Sequence, residues 1–411
     1  MEKRYPHVIL GGGMVAGYAA QEMVKLGLAP GELCIVSMDE DPPYERPPLS
    51  KGLMREEKQE AEVFINGPGF YEESGIDLLL NTWVRSVDLD ARTLSSKKHT
   101  IGFDSLLIAT GAWPISLKIP GFDLPGVHLL RTLAQSRAIH AAAADAESAV
   151  VIGAGFIGME IASSLTMLGV ECALVYREDQ VMGKRFTEPI ARYFERYYAD
   201  RGVRLVSEAE VAAIEGDERV TGVTLASGET LPAEMVVAGV GVRPEVGLFN
   251  DGPLKLDDGI VTNEYLETGV DRVWAAGDVS NYYDVLFGRH RRFEHEDNAH
   301  YQGLRAGRAM MGDRKPFKHV PHFYSDMFDL SWNYWGDRWM EDAEYTVTTR
   351  GEIGEDEFIT WWTVDDRVMA AFTMGVRWKN AKLAADIIKQ AKRLPAEALA
   401  DPSRDLEELL G

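Results

Sequence analysis

Two glycine-rich turns are the residues with the clearest chemical meaning in this sequence. The first has the pattern Gly11-x-Gly13-x-x-Ala16 and the second has Gly153-x-Gly155-x-x-Gly158, each after an apolar run and before a helical pattern. The first glycine permits a tight bend, the second lets the backbone approach a pyrophosphate, and the third small residue lets helix and strand pack closely. The helix N-terminus then faces the anion. Two turns in this context predict two dinucleotide sites in one chain.

The elements that must position these turns can be predicted from the surrounding pattern. An apolar run over 6–10, a helical pattern over 14–26 and an apolar run over 33–37 predict a first β–α–β unit. A second unit starts at Ala149 and extends to about Tyr176. After about Val320 lie six of the nine tryptophans, among strand-like runs.

The predicted fold class is α/β, with two Rossmann-like dinucleotide-binding domains and a small C-terminal α+β domain. The first domain is expected to be discontinuous, over 1–116 and 244–319, and a turn-rich stretch over 117–132 marks the crossing into the second unit. The second domain is predicted over 117–243 and the third over 320–411.

Composition limits the possible partners. With 43 basic and 65 acidic residues the formal net charge is −22, which disfavours nucleic acid. The sequence contains no 18-residue apolar run and no signal peptide, so we expect a cytoplasmic protein that does not enter a membrane. A local basic stretch over 289–318 is more often a set of solvated helix and loop faces than a binding patch.

The two cysteines, Cys34 and Cys172, both lie in apolar, strand-like runs. A lone cysteine in such a run behaves as a small hydrophobic residue. They do not form a C-x-x-C pair, so a redox-active disulfide is not expected.

A set of motifs resembles one known family. The chain is similar to the flavin-dependent NAD(P)H reductases of glutathione-reductase-like fold, in the branch of monodehydroascorbate reductases, ferredoxin and rubredoxin reductases and apoptosis-inducing factor. The resemblance extends from about residue 6 to about residue 340. Monodehydroascorbate reductases look nearest, through RFTEPIARYFERYYADRGV and FYSDMFDLSWNYWGD. The shared motifs are VILGGGMVAGYAA, PYERPPLSKG, LLIATGA, VVIGAGFIGMEIA, GVGVRP, VWAAGDV and FEHEDNA.

The resemblance implies that the first turn binds FAD. An acid after the second strand should hold ribose hydroxyls; Asp39 matches the family better than Glu40. The carboxylate of Asp278 should bind a ribityl hydroxyl. The implied FAD-binding residues are Gly11, Gly13, Ala16, Asp39, Arg46, Lys51, Arg131, Gly277, Asp278, Glu294 and His295.

The resemblance also implies a catalytic pair, Lys51 and Glu160. In the family the lysine lies beside the reactive edge of the flavin, where an ammonium stabilises negative charge on the reduced ring. The glutamate keeps that lysine oriented.

The second turn should bind the nicotinamide nucleotide. An acid at Glu178 favours the ribose diol of NADH, whereas the neighbouring Arg177 and Lys184 would suit the 2′-phosphate of NADPH. NADH is the first choice and NADPH stays possible. The implied nicotinamide-binding residues are Gly153, Gly155, Gly158, Arg177, Glu178, Lys184 and Gly241.

The absent cysteine pair determines where the electrons go in this interpretation. Disulfide reductases of this fold relay electrons through two cysteines, and without them the flavin must reduce its acceptor directly. The resemblance implies Tyr324 and His300 as substrate residues, although the family has an anion-binding arginine at the position of His300. A metal site at His295 and His300 lacks a third ligand at suitable spacing, so none is expected.

Three functions stay open at this point. The first is a monodehydroascorbate-reductase-like enzyme that passes single electrons to the ascorbate radical. The second is a ferredoxin or rubredoxin reductase that serves a small iron–sulfur protein, and the basic stretch over 289–318 would then have to outweigh the acidic background. The third is an NADH-responsive redox protein similar to apoptosis-inducing factor. A homodimer is possible in each case.

Overall fold

The chain alternates short strands with helices along most of its length. The computed structural model describes residues 2–338, 343–355 and 357–410. The helices are α1 Met14–Lys25, α2 Phe70–Glu73, α3 Leu133–Asp145, α4 Phe156–Met167, α5 Glu188–Ala199, α6 Glu296–Met310, α7 Trp378–Lys389 and α8 Ala396–Ala400. The strands of the first half are β1 Glu2–Leu10, β2 Leu33–Val36, β3 Asp77–Leu79, β4 Val84–Asp88, β5 Thr93–Ser96, β6 Thr100–Ile108, β7 Ala112–Pro114, β8 Val127–Leu129, β9 Ser148–Ile152, β10 Glu171–Val175 and β11 Arg204–Val206. The remaining strands are β12 Val211–Glu215, β13 Gly222–Leu225, β14 Thr230–Pro232, β15 Met235–Ala238, β16 Val242–Pro244, β17 Ile260–Thr262, β18 Val273–Ala275, β19 Ser280–Asp284, β20 Arg289–Arg291, β21 His322–Met327, β22 Leu330–Gly336, β23 Thr346–Arg350, β24 Phe358–Val364 and β25 Arg367–Met374.

Contacts between residues divide the chain into two units, which are described separately. Unit 1 comprises Met1–Arg46, Gln59–Trp113 and Val242–Pro321. Unit 2 comprises Pro47–Lys58, Pro114–Gly241 and His322–Gly411. The three-domain division proposed from the sequence stays a prediction.

Unit 1 is built on a sheet whose strand order is β3-β2-β1-β6-β5-β4, with β18 paired to β6. Strands β1, β2, β3, β6 and β18 run parallel. The runs Val8–Leu10 and Leu33–Val36 are buried throughout, as expected for strands covered on both faces. The predicted β–α–β beginning is therefore confirmed.

Helices α1 and α6 pack with almost no side chain between them. A Cβ on Gly303 would lie 2.8 Å from the carbonyl oxygen of Val15, and one on Gly307 would lie 2.7 Å from that of Ala19. Glycines on α6 therefore let its backbone rest on α1 close to the first glycine-rich turn.

Unit 2 contains a second parallel sheet and an antiparallel one. The parallel sheet has the order β11-β10-β9-β15-β8, and α4 follows its strand β9. The antiparallel sheet, β21-β22-β25-β24-β23, is followed by α7. Trp332, Trp361 and Trp362 fill the interior of this C-terminal part. Both the second Rossmann-like unit and the small α+β portion are confirmed.

Within the described ranges, none of the helices combines the length and apolar character that a membrane crossing requires.

Candidate functional site

The first glycine-rich turn joins β1 to α1 in unit 1. Gly11 has φ +119°, and a Cβ there would overlap the carbonyl oxygen of Ala109. Gly13 is the N-cap of α1, and the nearest atom to a Cβ there is Nη2 of Arg46 at 3.4 Å. Ala16 is fully buried. The protein itself requires Gly11 to be glycine, whereas Gly13 leaves space in front of the helix N-terminus.

Arg46 adds a positive charge at that same place. Its guanidinium lies beside Gly13, where the free amides of α1 point outward. A helix N-terminus and a guanidinium both favour a bound anion. The cradle therefore fits the pyrophosphate of a dinucleotide.

Asp39 follows β2, as expected of a ribose-binding acid. Its Oδ2 accepts a hydrogen bond from the hydroxyl of Tyr44 at 2.7 Å, and the side chain is half-buried. Glu40 is exposed. Tyr44 therefore fixes the carboxylate of Asp39. The choice of Asp39 over Glu40 as the ribose-binding acid stays a prediction.

Gly277 and Asp278 follow β18, and Gly277 is held by α6. The backbone N–H of Gly277 donates to Oε1 of Gln302 at 2.7 Å, and Nε2 of Gln302 donates to Oδ1 of Asn298 at 3.3 Å. Asp278, Asn298 and Gln302 are all buried. We did not single out Asn298 and Gln302 from the sequence; two amides one turn apart on a helix that faces the sheet were the available signal.

His295 is the N-cap of α6, and Glu294 precedes it. Nη1 of Arg292 lies 2.5 Å from Oε1 of Glu294, and Nη2 lies 3.0 Å from Asp258. The carboxylate of Glu294 is therefore held by a structural guanidinium, while the backbone at His295 begins the helix.

His300 lies on α6 against α1. Its ring stacks on Tyr18 at a centroid distance of 3.9 Å, and the hydroxyl of Tyr18 donates to Glu45. Burial lowers the pKa of His300 from its usual 6.5, which outweighs the nearby carboxylates of Asp297 and Glu45. The imidazole is therefore mostly neutral near pH 7.

The second glycine-rich turn joins β9 to α4 in unit 2. Gly153 has φ +101°, and a Cβ there would lie 2.5 Å from the carbonyl oxygen of Gly239. A Cβ on Gly158 would overlap the carbonyl oxygen of Gly153. At Gly155, the N-cap of α4, a Cβ would meet no described atom within 4 Å. Of the three small residues in each turn, only the middle glycine has open space beside it. A pyrophosphate fits into this space.

The loop after β10 carries the residues that are predicted to bind the adenosine ribose of the nicotinamide nucleotide. Arg177 and Glu178 are both exposed, and Nη2 of Arg177 donates to Oε1 of Glu210 at 2.6 Å. Lys184 lies in the one-turn helix Gly183–Arg185, and its side chain is outside the described residues. Gly241 has φ +106°, and a Cβ there would lie 3.6 Å from Ile115.

Lys51 and Glu160 meet in unit 2 although 109 positions separate them. Nζ of Lys51 donates to Oε1 of Glu160 at 2.8 Å, and their side chains are only 9% and 5% exposed. The hydroxyl of Ser325 donates to the same oxygen at 2.6 Å, and the hydroxyl of Ser50 donates to Oε2. Three donors therefore hold one buried carboxylate next to one buried ammonium.

Two further serines fix the segment that carries Lys51. The hydroxyl of Ser136 donates to the carbonyl of Leu49, and that of Ser164 donates to the carbonyl of Ser50, both at 2.7 Å. We did not predict these contacts, because a serine within a helical pattern carries no sequence signal for a distant partner.

Tyr324 lies on β21 beside Ser325, and Nζ of Lys51 lies 5.7 Å from the centroid of its ring. Lys51, Glu160 and Tyr324 are therefore brought together in unit 2. Arg131, by contrast, precedes α3, where its backbone N–H donates to Oε1 of Gln135 at 2.8 Å. His300 belongs to unit 1.

Both cysteines are free and buried, Cys34 in β2 and Cys172 in β10. Burial raises the pKa of each thiol to about 12. A thiolate at neutral pH is therefore strongly disfavoured at both positions, so neither cysteine is suited to redox exchange.

The chain is similar to known proteins over its whole length. Residues 5–303 match the family described as pyridine nucleotide-disulphide oxidoreductase, and residues 320–401 match the C-terminal domain of monodehydroascorbate reductase 3-like proteins. The peroxisomal monodehydroascorbate reductase 4 of Arabidopsis thaliana is 36% identical, over 100% of this chain and 86% of that protein. The peroxisomal monodehydroascorbate reductase 1 of Oryza sativa subsp. japonica is 37% identical, over 91% of this chain and 84% of that protein.

Solved structures show the same architecture. A ferredoxin reductase from Rhodopseudomonas palustris superimposes with a TM-score of 0.92 at 29% identity, over 99% of this chain and 100% of that one. Putidaredoxin reductase, in its covalent complex with putidaredoxin, gives a TM-score of 0.92 at 26% identity, over 98% and 97% of the two chains. These matches confirm the resemblance and the fold class that the sequence motifs predicted.

Proposed function

The chain belongs to the pyridine nucleotide-disulphide oxidoreductase family, and we propose that it acts as a monodehydroascorbate reductase, passing electrons from NAD(P)H through FAD to the radical of ascorbate. It is an NAD(P)H-dependent oxidoreductase that uses FAD. The similarity to monodehydroascorbate reductases, which extends into the C-terminal part, supports the choice of acceptor.

The observation that carries this proposal is that neither cysteine thiol is available for redox exchange. Both are buried and free, with pKa values raised to about 12, in a chain that has two dinucleotide turns. Electrons therefore have no thiol relay to follow and must pass directly to the acceptor. FAD, when bound, supplies the required chemistry, because it accepts a hydride and releases electrons singly.

The residues of the two turns would hold the two nucleotides. In unit 1 the amides at the N-terminus of α1 and the guanidinium of Arg46 would bind the pyrophosphate of FAD, and Asp39 and Asp278 would bind its hydroxyl groups. In unit 2 the N-terminus of α4 would bind the pyrophosphate of the nicotinamide nucleotide.

Lys51 and Glu160 act as a fixed charge pair in this proposal. Lys51 would supply a positive charge to bound FAD, and Glu160 keeps its ammonium in place. The hydroxyls of Ser50 and Ser325 also donate to this carboxylate, so it is held by side-chain donors on both of its oxygens although it is buried.

The family resemblance supports a role as acceptor ligand for Tyr324 and, considered separately, for His300. A neutral imidazole and a phenol can each donate a hydrogen bond to an anionic oxygen without carrying charge. This makes His300 a weaker anion ligand than the arginine that the family resemblance implies at this position.

A ferredoxin reductase is the second candidate, because the solved structures with a TM-score of 0.92 have that name or act with putidaredoxin. An acidic iron–sulfur partner would need a basic surface, and the stretch over 289–318 does not provide one readily. Its cations mostly have acidic partners within unit 1: Arg291 with Asp284, Arg292 with Asp258 and Glu294, Arg305 and Lys315 with Asp313, Arg308 with Glu22, and Arg314 with Glu267. This neutralisation favours a small-molecule acceptor.

Steady-state kinetics of the FAD-loaded protein test the proposal. We expect NADH oxidation to accelerate when ascorbate and ascorbate oxidase generate the radical. Replacing the radical by a ferredoxin and cytochrome c should give little turnover. Fast turnover with the ferredoxin alone would favour the second candidate, and a preparation that binds no FAD would overturn both.

Two further statements stay predictions. A homodimer is possible, and sedimentation of the purified protein would test it. The cytoplasmic location also needs its own measurement, since similar reductases are named both peroxisomal and cytosolic.

A further inference from the structure

Two loops of unit 2 lie side by side where the adenosine ribose is proposed to bind. The backbone N–H of Ala209 donates to the carbonyl of Tyr176 at 2.9 Å, and that of Glu208 donates to the carbonyl of Glu178 at 3.0 Å. These two bonds fix the register of the loop before β12 against the loop after β10. The ion pair between Arg177 and Glu210 therefore rests on a rigid backbone frame.

This ion pair contributes little to folding. The side chains of Arg177 and Glu210 are 69% and 60% exposed, and exposed pairs contribute about 0–1 kcal/mol. The ion pair instead affects the neighbouring site, because Nη2 of Arg177 is already bonded to Glu210 at 2.6 Å. Arg177 then has fewer donors available for another anion.

The neighbouring carboxylates strengthen this bias. Glu178, Asp179 and Glu208 are exposed on the same two loops. Among the described residues the carboxylate of Glu178 makes no hydrogen bond or ion pair, so it can accept from a ribose diol. A 2′-phosphate at this place would instead meet several negative charges and an occupied guanidinium.

We propose that Glu210 is a specificity-determining residue for the nicotinamide nucleotide: it holds Arg177 away from the adenosine 2′ position and so makes the chain prefer NADH over NADPH. The inference rests on the proposed function, in which the second turn binds the nicotinamide nucleotide. The chemistry is the competition between two anions, a carboxylate and a 2′-phosphate, for one guanidinium.

The test compares Glu210→Gln with Glu208→Gln in the FAD-loaded protein. Both substitutions remove one exposed carboxylate from the same loop, but only Glu210 is paired with Arg177. Calorimetry with 2′,5′-ADP and with 5′-AMP measures the binding of the 2′-phosphate without any turnover. We expect Glu210→Gln to tighten the binding of 2′,5′-ADP about tenfold, which is the effect of one charge-assisted hydrogen bond. The affinity for 5′-AMP should change by less than about twofold.

A double variant identifies the group that is released. In an Arg177→Leu background, the gain from Glu210→Gln should disappear. An equal gain from Glu208→Gln, or a gain that persists without Arg177, would show a general charge effect and overturn the proposal. So would an unchanged affinity of Glu210→Gln for 2′,5′-ADP.

Turnover separates this inference from the proposed function. The ratio of kcat/KM for NADPH to that for NADH should rise about tenfold in Glu210→Gln, in parallel with the binding data. If neither nucleotide supports radical reduction in any variant, the proposed function fails while the binding measurements still decide the role of Glu210.

Discussion

Nζ of Lys51 lies 2.8 Å from Oε1 of Glu160, with less than a tenth of either side chain exposed. Ser325 donates to the same carboxylate oxygen at 2.6 Å. Breaking a buried charge pair of this kind strongly lowers the free energy of unfolding, because the remaining partner stays buried and uncompensated.

Removing one partner of this pair should therefore affect both stability and chemistry. We expect Glu160→Leu to lower the free energy of unfolding by about 3–5 kcal/mol. Flavin reduction by NADH should slow roughly 100-fold. Urea denaturation and stopped-flow absorbance of the FAD-loaded protein measure the two effects.

Lys379→Met, which breaks an exposed pair with Glu407, is the control and should change the free energy of unfolding by less than about 1 kcal/mol. Equal losses in the two variants would contradict the assignment.

The glycines of the second turn should separate ligand binding from folding. Gly155→Ala puts a methyl group into open space, so the free energy of unfolding should change by less than about 1 kcal/mol. Binding of NADH should nevertheless weaken at least about tenfold, because the methyl group would occupy the place of the pyrophosphate. Gly158→Ala, whose methyl group overlaps the carbonyl of Gly153, should instead destabilise the fold by about 1–3 kcal/mol. Normal NADH affinity in Gly155→Ala would argue against the nucleotide site.

The cysteines should prove dispensable for turnover. Because burial raises the pKa of both thiols to about 12, the native protein should react very slowly at pH 8 with the thiol reagent dithiobis(nitrobenzoate). The double variant Cys34→Ala, Cys172→Ala should keep the wild-type kcat with the ascorbate radical. Loss of turnover in a folded, FAD-loaded double variant would refute direct transfer to the acceptor.

His128 should contribute to acid sensitivity. Burial lowers its pKa from the usual 6.5, and its Nε2 has no hydrogen-bond partner among the described residues. Between the lowered pKa and about 6.5 the unfolded chain binds more protons, so stability falls as the pH drops through this window. We expect His128→Leu to flatten the dependence of Tm on pH between 7 and 5. The lowered pKa values of His7 and His300 leave part of that dependence in place. An unchanged slope would contradict the assignment.

His300→Arg tests the acceptor site. Arginine stays charged at every working pH, whereas the lowered pKa of His300 keeps the imidazole mostly neutral near pH 7. The variant should therefore show a lower KM for the ascorbate radical, by about three- to tenfold for one charge-assisted contact. Its KM for NADH should not change. If the KM for the radical stays the same, His300 is not an acceptor ligand.

Much of the fold follows from local sequence. The conformation at Gly11 and Gly153 needs a positive φ, and the apolar runs before them are buried strands. Periodicity, turn residues and the resemblance therefore predicted both Rossmann-like units and the C-terminal α+β part, because each of these signals lies within a few tens of residues.

Long-range pairing could not be predicted in the same way. The hydroxyls of Ser50 and Ser325 reach one carboxylate from segments far apart in the chain. The sequence favoured solvated faces for the basic stretch over 289–318, but it did not indicate that Glu22 and Glu267 pair with two of its cations. Nothing in the pattern around Arg177 indicates that Glu210 binds it.

The sequence by itself determined the two nucleotide turns, the absence of a paired cysteine motif and the identity of the chemical groups. Only the tertiary structure decided which charges meet. The energy of an ion pair depends on separation and burial in space, and both are set by sheet order and loop register rather than by distance along the chain.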